Sequence, residues 1–360
     1  MKQTTSLDRG GTAIVPLRLL AWGVATIWLL IGAAVLFVVF YPHQHLQITQ
    51  PQTILIPPGA SLRRMASILA QGHSLDHPTP LVWYGRLTGI QKRLKAGEYA
   101  LAPGMTIADL LDRLTRGAVV HHRFTIVEGW TLSQVLRALQ LQEPIAKQVI
   151  TLDEPTLARR LHWNKPSLNG WLFPDTYLYT RGTPDVVLLQ RALSAMQYHM
   201  TREWAERAPG LPYRNSDEAL VMASVVEREA RLPSEQPLIA GVLIRRLWLG
   251  MPLQADPTVI YGLGSDYKRP LTRQNLQQDT PFNTYLHKGL PPQPIANPGL
   301  GALHAALHPA PGTSLYFVAR GDGSHDFSNT YAEHLAKVAL YRCGGACPSP
   351  HQPQTNPPAP

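Results

Sequence analysis

Residues 219–233 read ALVMASVVEREARLP, an apolar run closed by charge. From Ala219 to Val226 the only polar side chain is Ser224, so this is a helix buried on all sides rather than an amphipathic one. Asn215 or Ser216 can cap its start, Asp217 and Glu218 fill a first turn that favours negative charge, and Pro233 stops it. Glu227 and Glu229 then fall in the last turn, where the helix dipole disfavours a carboxylate. Their neighbours separate them. Glu227 has Arg231 at i+4, a pairing that keeps it ionised and solvated. Glu229 has Val225 and Val226 at i−4 and i−3 and no cation at i+4, so it is the carboxyl favoured in the neutral form. A carboxylic acid held protonated near neutral pH is what a general acid requires. Glu229 is the expected acid, with Glu227 as the fallback.

The chain of 360 residues is long enough for two or three domains, and 44% hydrophobic content supports real cores. Many of its 33 prolines crowd residues 343–360, expected to form a disordered tail. Cys343 and Cys347 begin that tail without the further Cys or His spacing of a zinc site, so a local disulfide in an oxidising compartment is expected. The net charge of +9 is spread along the chain and suits an anionic partner without choosing one.

Location comes from the N-terminus. Residues 19–41 carry no charge and reach ~34 Å as a helix, enough for a hydrocarbon core of ~30 Å. Lys2, Arg9 and Arg18 precede them, which places residues 1–18 in the cytoplasm and everything beyond about residue 45 outside it. A nucleic-acid partner is excluded on that ground.

Three short patterns follow, at Pro57, Ala102 and Val127: a glycine, a Ser or Thr two residues later, then an amphipathic run. Ser61, Thr106 and Thr131 read as N-caps, with Asp109 and Gln134 completing capping-box pairs. An apolar strand precedes each. The repeated pattern fits either a common helix-start device or a small carbohydrate-binding module of LysM type. The organisation expected is α+β throughout: a transmembrane signal-anchor helix (19–41), a small LysM-like subdomain on the second of those readings (46–122), an intermediate segment (123–212) and a catalytic domain with a substrate cleft (213–342).

The strings ASVVEREA (223–230), GMPLQADPTVIYG (250–262), FNTYLHKGLPPQPIANPG (282–299), LYFVARGDGSHDFS (315–328) and GWLFPDTYLY (170–179) resemble, as an ordered set, the motifs of the YceG-like family of endolytic murein transglycosylases. The resemblance runs from the anchor to about Tyr341. It implies a single-pass inner-membrane enzyme with a periplasmic catalytic domain. Its expected reaction is cleavage of the MurNAc-β-1,4-GlcNAc bond within nascent peptidoglycan strands, leaving 1,6-anhydro-MurNAc ends. It also implies peptidoglycan synthases (penicillin-binding proteins) as partners, no cofactor and no metal, and its catalytic glutamate aligns with Glu229. Gln254, Asp256, Thr258, Tyr261, Asn283, Tyr285, Asn297 and His325 are the residues expected to contact the glycan, with a structural role the alternative at these positions, as where Asp256 would cap local backbone groups. Three positions depart from the family pattern: Asn169 where a carboxylate is usual, Arg245 in place of Asn, and Gln293 in place of a glycine that could need positive φ.

Two rival readings exist. A non-catalytic, membrane-anchored peptidoglycan-binding scaffold would keep the repeats and groove but tolerate loss of Glu229. A metallohydrolase would use His304 and His308 at i, i+4, with His325 and His334 following. No acidic residue stands inside HAALH, however, and Pro309 ends that helix at once.

Overall fold

The computed structural model describes residues 17–264, 267 and 269–342; most of the basic N-terminal segment and the Pro-rich tail with Cys343 and Cys347 lie outside the described residues. The chain divides into two compact units, residues 1–121 and 122–360.

The first unit begins with α1 (Leu17–Phe40). Ala21–His43 is long and apolar enough to cross a membrane, and its most apolar stretch is not buried in the chain. Then follow β1 (Gln52–Ile56), α2 (Leu62–Gln71), α3 (Pro78–Leu87), β2 (Gly97–Leu101) and α4 (Ile107–Arg116). β1 and β2 pair antiparallel, Gln52 opposite Leu101 and Ile56 opposite Gly97. Ile54, Met65, Leu69, Leu81, Tyr99 and Leu110 form the core beneath them. Capping chemistry sets the helix starts: Ser61 Oγ accepts from the Arg64 N–H, and Thr106 and Asp109 close a reciprocal box. The Tyr41 ring lies 5.0 Å from Phe37 and 5.6 Å from Tyr84, tying the end of α1 to α3.

The second unit contains β3 (His122–Thr125), α5 (Leu132–Gln140), α6 (Glu154–Arg160), β4 (Thr176–Tyr179), α7 (Asp185–Ala205) and α8 (Ser216–Glu229). Beyond these lie α9 (Gln236–Trp248), α10 (Asp256–Gly262), α11 (Arg273–Gln277), α12 (Leu300–Leu307), β5 (Tyr316–Ala319), β6 (His325–Ser328) and α13 (Tyr331–Arg342). β3 pairs antiparallel with β4, and β5 with β6. Thr131 and Gln134 cap α5 with a second reciprocal box. One hydrophobic core runs from Phe124 through Leu188 and Val225 to Leu307, so residues 123–212 and 213–342 share a core.

Helix α8 is the centre of that core. Every residue from Ala219 to Val226 is buried, and α7, α9, α10 and α12 all pack on it. Asn215 caps it by accepting from the Glu218 N–H at 3.1 Å. The helix ends at Glu229, before the expected stop at Pro233: Ala230 still donates to Val226 O but is itself extended. Leu232 is extended as a residue before proline must be, and Pro233 opens a separate short turn, Pro233–Glu235.

Gly170 is required where two loops meet. Its φ is +80°, and a Cβ there would sit 2.4 Å from Cβ of Pro294. Gly170→Ala combines a left-handed backbone with overpacking and is expected to cost about 2–5 kcal/mol, measured as a lowered urea midpoint with an unchanged m-value.

Candidate active site

Glu229 ends a buried helix and reaches the wall of a cavity of about 410 Å³. Gln254, Asp256, Tyr285 and His325 line the same cavity, as do Arg246, Leu253, Phe317, Tyr331 and His334. Asp256 opens α10, Tyr285 comes from the loop after α11, and His325 starts β6. Four of the eight expected contact residues therefore converge on Glu229.

Three others hold the walls. Thr258, Asn283 and Asn297 are fully buried and do not line that cavity, which favours a structural role over contact with a glycan. The Thr258 hydroxyl lies 2.8 Å from that of Thr284 and donates to Ala255 O at 2.6 Å. Thr284 in turn takes the Gln254 and Ala255 N–H groups, on its carbonyl and hydroxyl oxygens respectively. Asn283 donates to Leu276 O and Gln278 O and accepts from the Tyr285 N–H, which fixes the Tyr285 backbone. Asn297 donates to Trp130 O and accepts from the Leu172 N–H, joining two loops. Their polar atoms are consumed by backbone partners, as buried polar atoms must be.

Tyr261 faces a different cavity, of about 430 Å³. Its hydroxyl accepts from Asn169 Nδ2 at 2.8 Å and from Gln293 Nε2 at 3.1 Å, so two of the three departures from the family pattern meet on one phenol. Asn169 also accepts from the Leu132 N–H at 2.9 Å at the start of α5. A carboxylate could serve that N–H but could not donate to Tyr261. Gln293 is not among the residues with positive φ, so the missing glycine imposes no strain. The third departure, Arg245, donates to Ser314 O and Ala310 O and pins the loop after α12.

Electrostatics distinguish the two glutamates less than position does. Burial, reinforced by the Asp256 carboxylate and opposed by Arg246, pushes Glu229 from 4.5 up to about 8. Burial also pushes Glu227 to about 7, opposed by the Gly299 N–H, which donates to its Oε2 at 3.1 Å, and raised further by Glu128. The expected Glu227–Arg231 pairing is absent because Arg231 lies beyond the end of the helix. Glu227 is half-buried and occupied with Gly299, away from the cavity. Glu229 faces the cavity and makes no hydrogen bond to protein among the described residues, so its proton is available to a ligand.

The surrounding groups are held firmly. Tyr285 Oη donates to Asp256 Oδ1 at 2.5 Å. The His325 ring donates from Nδ1 to Glu235 at 2.6 Å, and the His325 N–H donates to the other carboxylate oxygen at 3.0 Å. Gln254 sits at φ +52°. The sequence reading missed Arg246, attending to its neighbour Arg245 in the RRL string. Arg246 is 7% exposed and donates to Leu315 O, Pro252 O, Leu253 O and Gln254 Oε1, at 2.7 to 3.2 Å. The doubled arginine late in a buried helix was the available signal.

The expected pH profile follows from these charges. kcat/KM should fall above about pH 8 as Glu229 loses its proton. Asp256→Asn removes an anion that raises Glu229, so the alkaline limb should move to lower pH; Glu227→Gln should leave that limb in place. A limb that follows Glu227 instead would transfer the acid's role two residues.

A carboxylic acid with no side-chain partner in the protein among the described residues, beside Asp256 and amide, phenol and imidazole groups, defines a class of site: one suited to acid–base chemistry on a polar substrate. The YceG-like family model matches residues 54–340, and the chain belongs to this family. It is 34% identical over 301 residues to the endolytic murein transglycosylase of Bacillus subtilis, covering 78% of this chain and 82% of that protein. The Streptococcus pneumoniae serotype 2 protein of the same name is 27% identical over 321 residues; the match spans 80% of this chain but 58% of that longer protein. A 2.6 Å crystal structure of a YceG-like protein from Listeria monocytogenes superposes with a TM-score of 0.51 at 28% identity, covering 80% of this chain and 99% of that one.

Proposed function

We propose that this chain is an endolytic murein transglycosylase that cuts the MurNAc-β-1,4-GlcNAc bond inside glycan strands, with Glu229 as its acid and base. The observation that carries the reading is the position of the Glu229 carboxyl, at the wall of a polar cavity with no side-chain partner in the protein among the described residues, where burial raises its pKa. Glu229 gives its proton to the bridging oxygen as the bond to C1 breaks and C1 gains oxocarbenium character. The sugar's own 6-hydroxyl closes on C1, and the new Glu229 carboxylate takes the hydroxyl proton. One proton thus passes from O6 to the departing oxygen through a single residue, and water is not consumed. The Asp256 carboxylate keeps Glu229 protonated beforehand, while Arg246 stabilises it once ionised.

Asp256 also supports a second reading, a hydrolase in which a second carboxylate activates water. Its engagement with Tyr285 makes it the less available of the two.

The remaining assignments follow the same reading. α1 anchors the chain in the inner membrane, with the catalytic unit in the periplasm, where peptidoglycan synthases work. The paired β1 and β2 with α2 and α3 between them suit a small glycan-binding module of LysM type. Incubating the full chain in detergent with uncrosslinked peptidoglycan strands tests the function. Internal cuts giving fragments of many lengths support an endolytic enzyme; strand binding with no shortening, under conditions where the Bacillus relative cuts, would make it a scaffold.

A further inference from the structure

The HAALH segment lacks the acidic residue of a zincin motif, but the fold supplies a carboxylate from another helix. Glu203, in the last turn of α7, hydrogen-bonds Nδ1 of His304 on α12 at 2.8 Å. His308 caps the same helix, and its ring stacks on that of His304 with centroids 4.2 Å apart. One donor atom from each of the three side chains lies within 4.8 Å of the other two. A second observation concerns His308 alone. Its Nε2 lies 2.9 Å from the carbonyl of Glu206, which can only accept, so the proton of the neutral ring is on Nε2. Nδ1 then carries a free lone pair, and this atom is buried without a hydrogen-bond partner. An imidazole whose outer N–H is held by a backbone carbonyl while its other nitrogen stays bare is the usual state of a metal ligand.

We propose that Glu203, His304 and His308 form a zinc site that clasps the end of α7 to α12. Two imidazole nitrogens and one carboxylate oxygen suit Zn²⁺ better than the oxygen-seeking Mg²⁺ or Ca²⁺, with water completing the shell. Stacked rings cannot both aim a nitrogen lone pair at one ion, so the exposed His304 ring turns out of the stack as the metal replaces its hydrogen bond to Glu203, and the displaced proton moves to the outer nitrogen of His304 or to solvent. None of the three residues lines the Glu229 cavity, so the role is structural and independent of the transglycosylase reading.

The test uses the full chain in detergent, stripped with a chelator and dialysed against Zn²⁺. Wild type should retain one zinc per chain, with Glu203→Gln, His304→Ala and His308→Ala each binding at least about tenfold more weakly. At a hundredfold excess over Kd, zinc should raise the wild-type unfolding midpoint by roughly 5–10 °C and leave those of the variants unmoved. Co²⁺ in the wild type should give the intense visible bands of a four-coordinate site, a readout that does not depend on the variants folding. Zinc retained equally by all three variants, or none retained by wild type, would overturn the proposal.

Discussion

Glu229→Gln is expected to lower kcat for glycan cleavage by about 10³-fold or more, with KM little changed. Acid–base assistance is worth roughly 10²–10⁴ for one well-placed group, and Glu229 serves as acid and then as base. Glutamine keeps the shape and can still donate a hydrogen bond, so strand binding should survive. Stability should move the other way from activity. The folded state holds the Glu229 proton to about pH 8, whereas an ordinary carboxyl releases it near 4.5. Across that window the native state binds more protons than the unfolded one, so stability contributed by the neutral acid is lost as pH rises. Glu229→Gln cannot ionise; its stability should fall less between about pH 4.5 and 8 than that of wild type. Urea unfolding at several pH values, run beside cleavage kinetics, measures both. A variant that retains cleavage, or a pH–stability slope identical to wild type, would remove Glu229 from its role.

Arg246→Met is the second large effect. The substitution keeps an unbranched apolar stem but leaves Leu315 O, Pro252 O, Leu253 O and Gln254 Oε1 without their donor. A buried acceptor left unpaired costs roughly 1–3 kcal/mol, and water entering from the cavity recovers part of the total, so a loss of about 3–5 kcal/mol is expected. Arg246→Lys should recover only part, because a single ammonium cannot span the acceptors that the guanidinium fork reaches. Either change should also weaken cleavage through Gln254, whose side chain Arg246 holds. Loss of the cation removes a charge that favours ionised Glu229, so residual activity should persist to higher pH. A Met variant within about 0.5 kcal/mol of wild type would contradict this account of Arg246.

Local chemistry made much of the frame legible. Ser61, Thr106, Thr131 and Asn215 cap helices where side-chain type and spacing place them, because a cap is decided within four residues. The run from Ala219 to Val226 announced its burial by lacking a polar face. What failed depended on distant partners. The Glu227–Arg231 pair presumed a helix two residues longer than the one formed, and Glu227 instead met Gly299 from a remote loop. Thr258, Asn283 and Asn297 have the residue types of a sugar site, but type alone does not tell a ligand contact from a buried bracket. The Tyr261 cluster required knowing that Asn169 and Gln293 arrive at one hydroxyl across more than a hundred residues of chain. Arg246 was passed over because its four acceptors, Leu315 O, Pro252 O, Leu253 O and Gln254 Oε1, all lie outside its own helix.

The central claim is that Glu229 drives closure by the sugar's own hydroxyl rather than attack by water. The most direct measurement is cleavage of uncrosslinked strands by the full chain in water enriched in heavy oxygen, with the new ends weighed by mass spectrometry. The account predicts anhydro-muramyl ends, lighter by one water than reducing ends and free of solvent label. Reducing ends carrying the heavy oxygen would contradict it and make the protein a hydrolase, with Asp256 as the first residue to suspect.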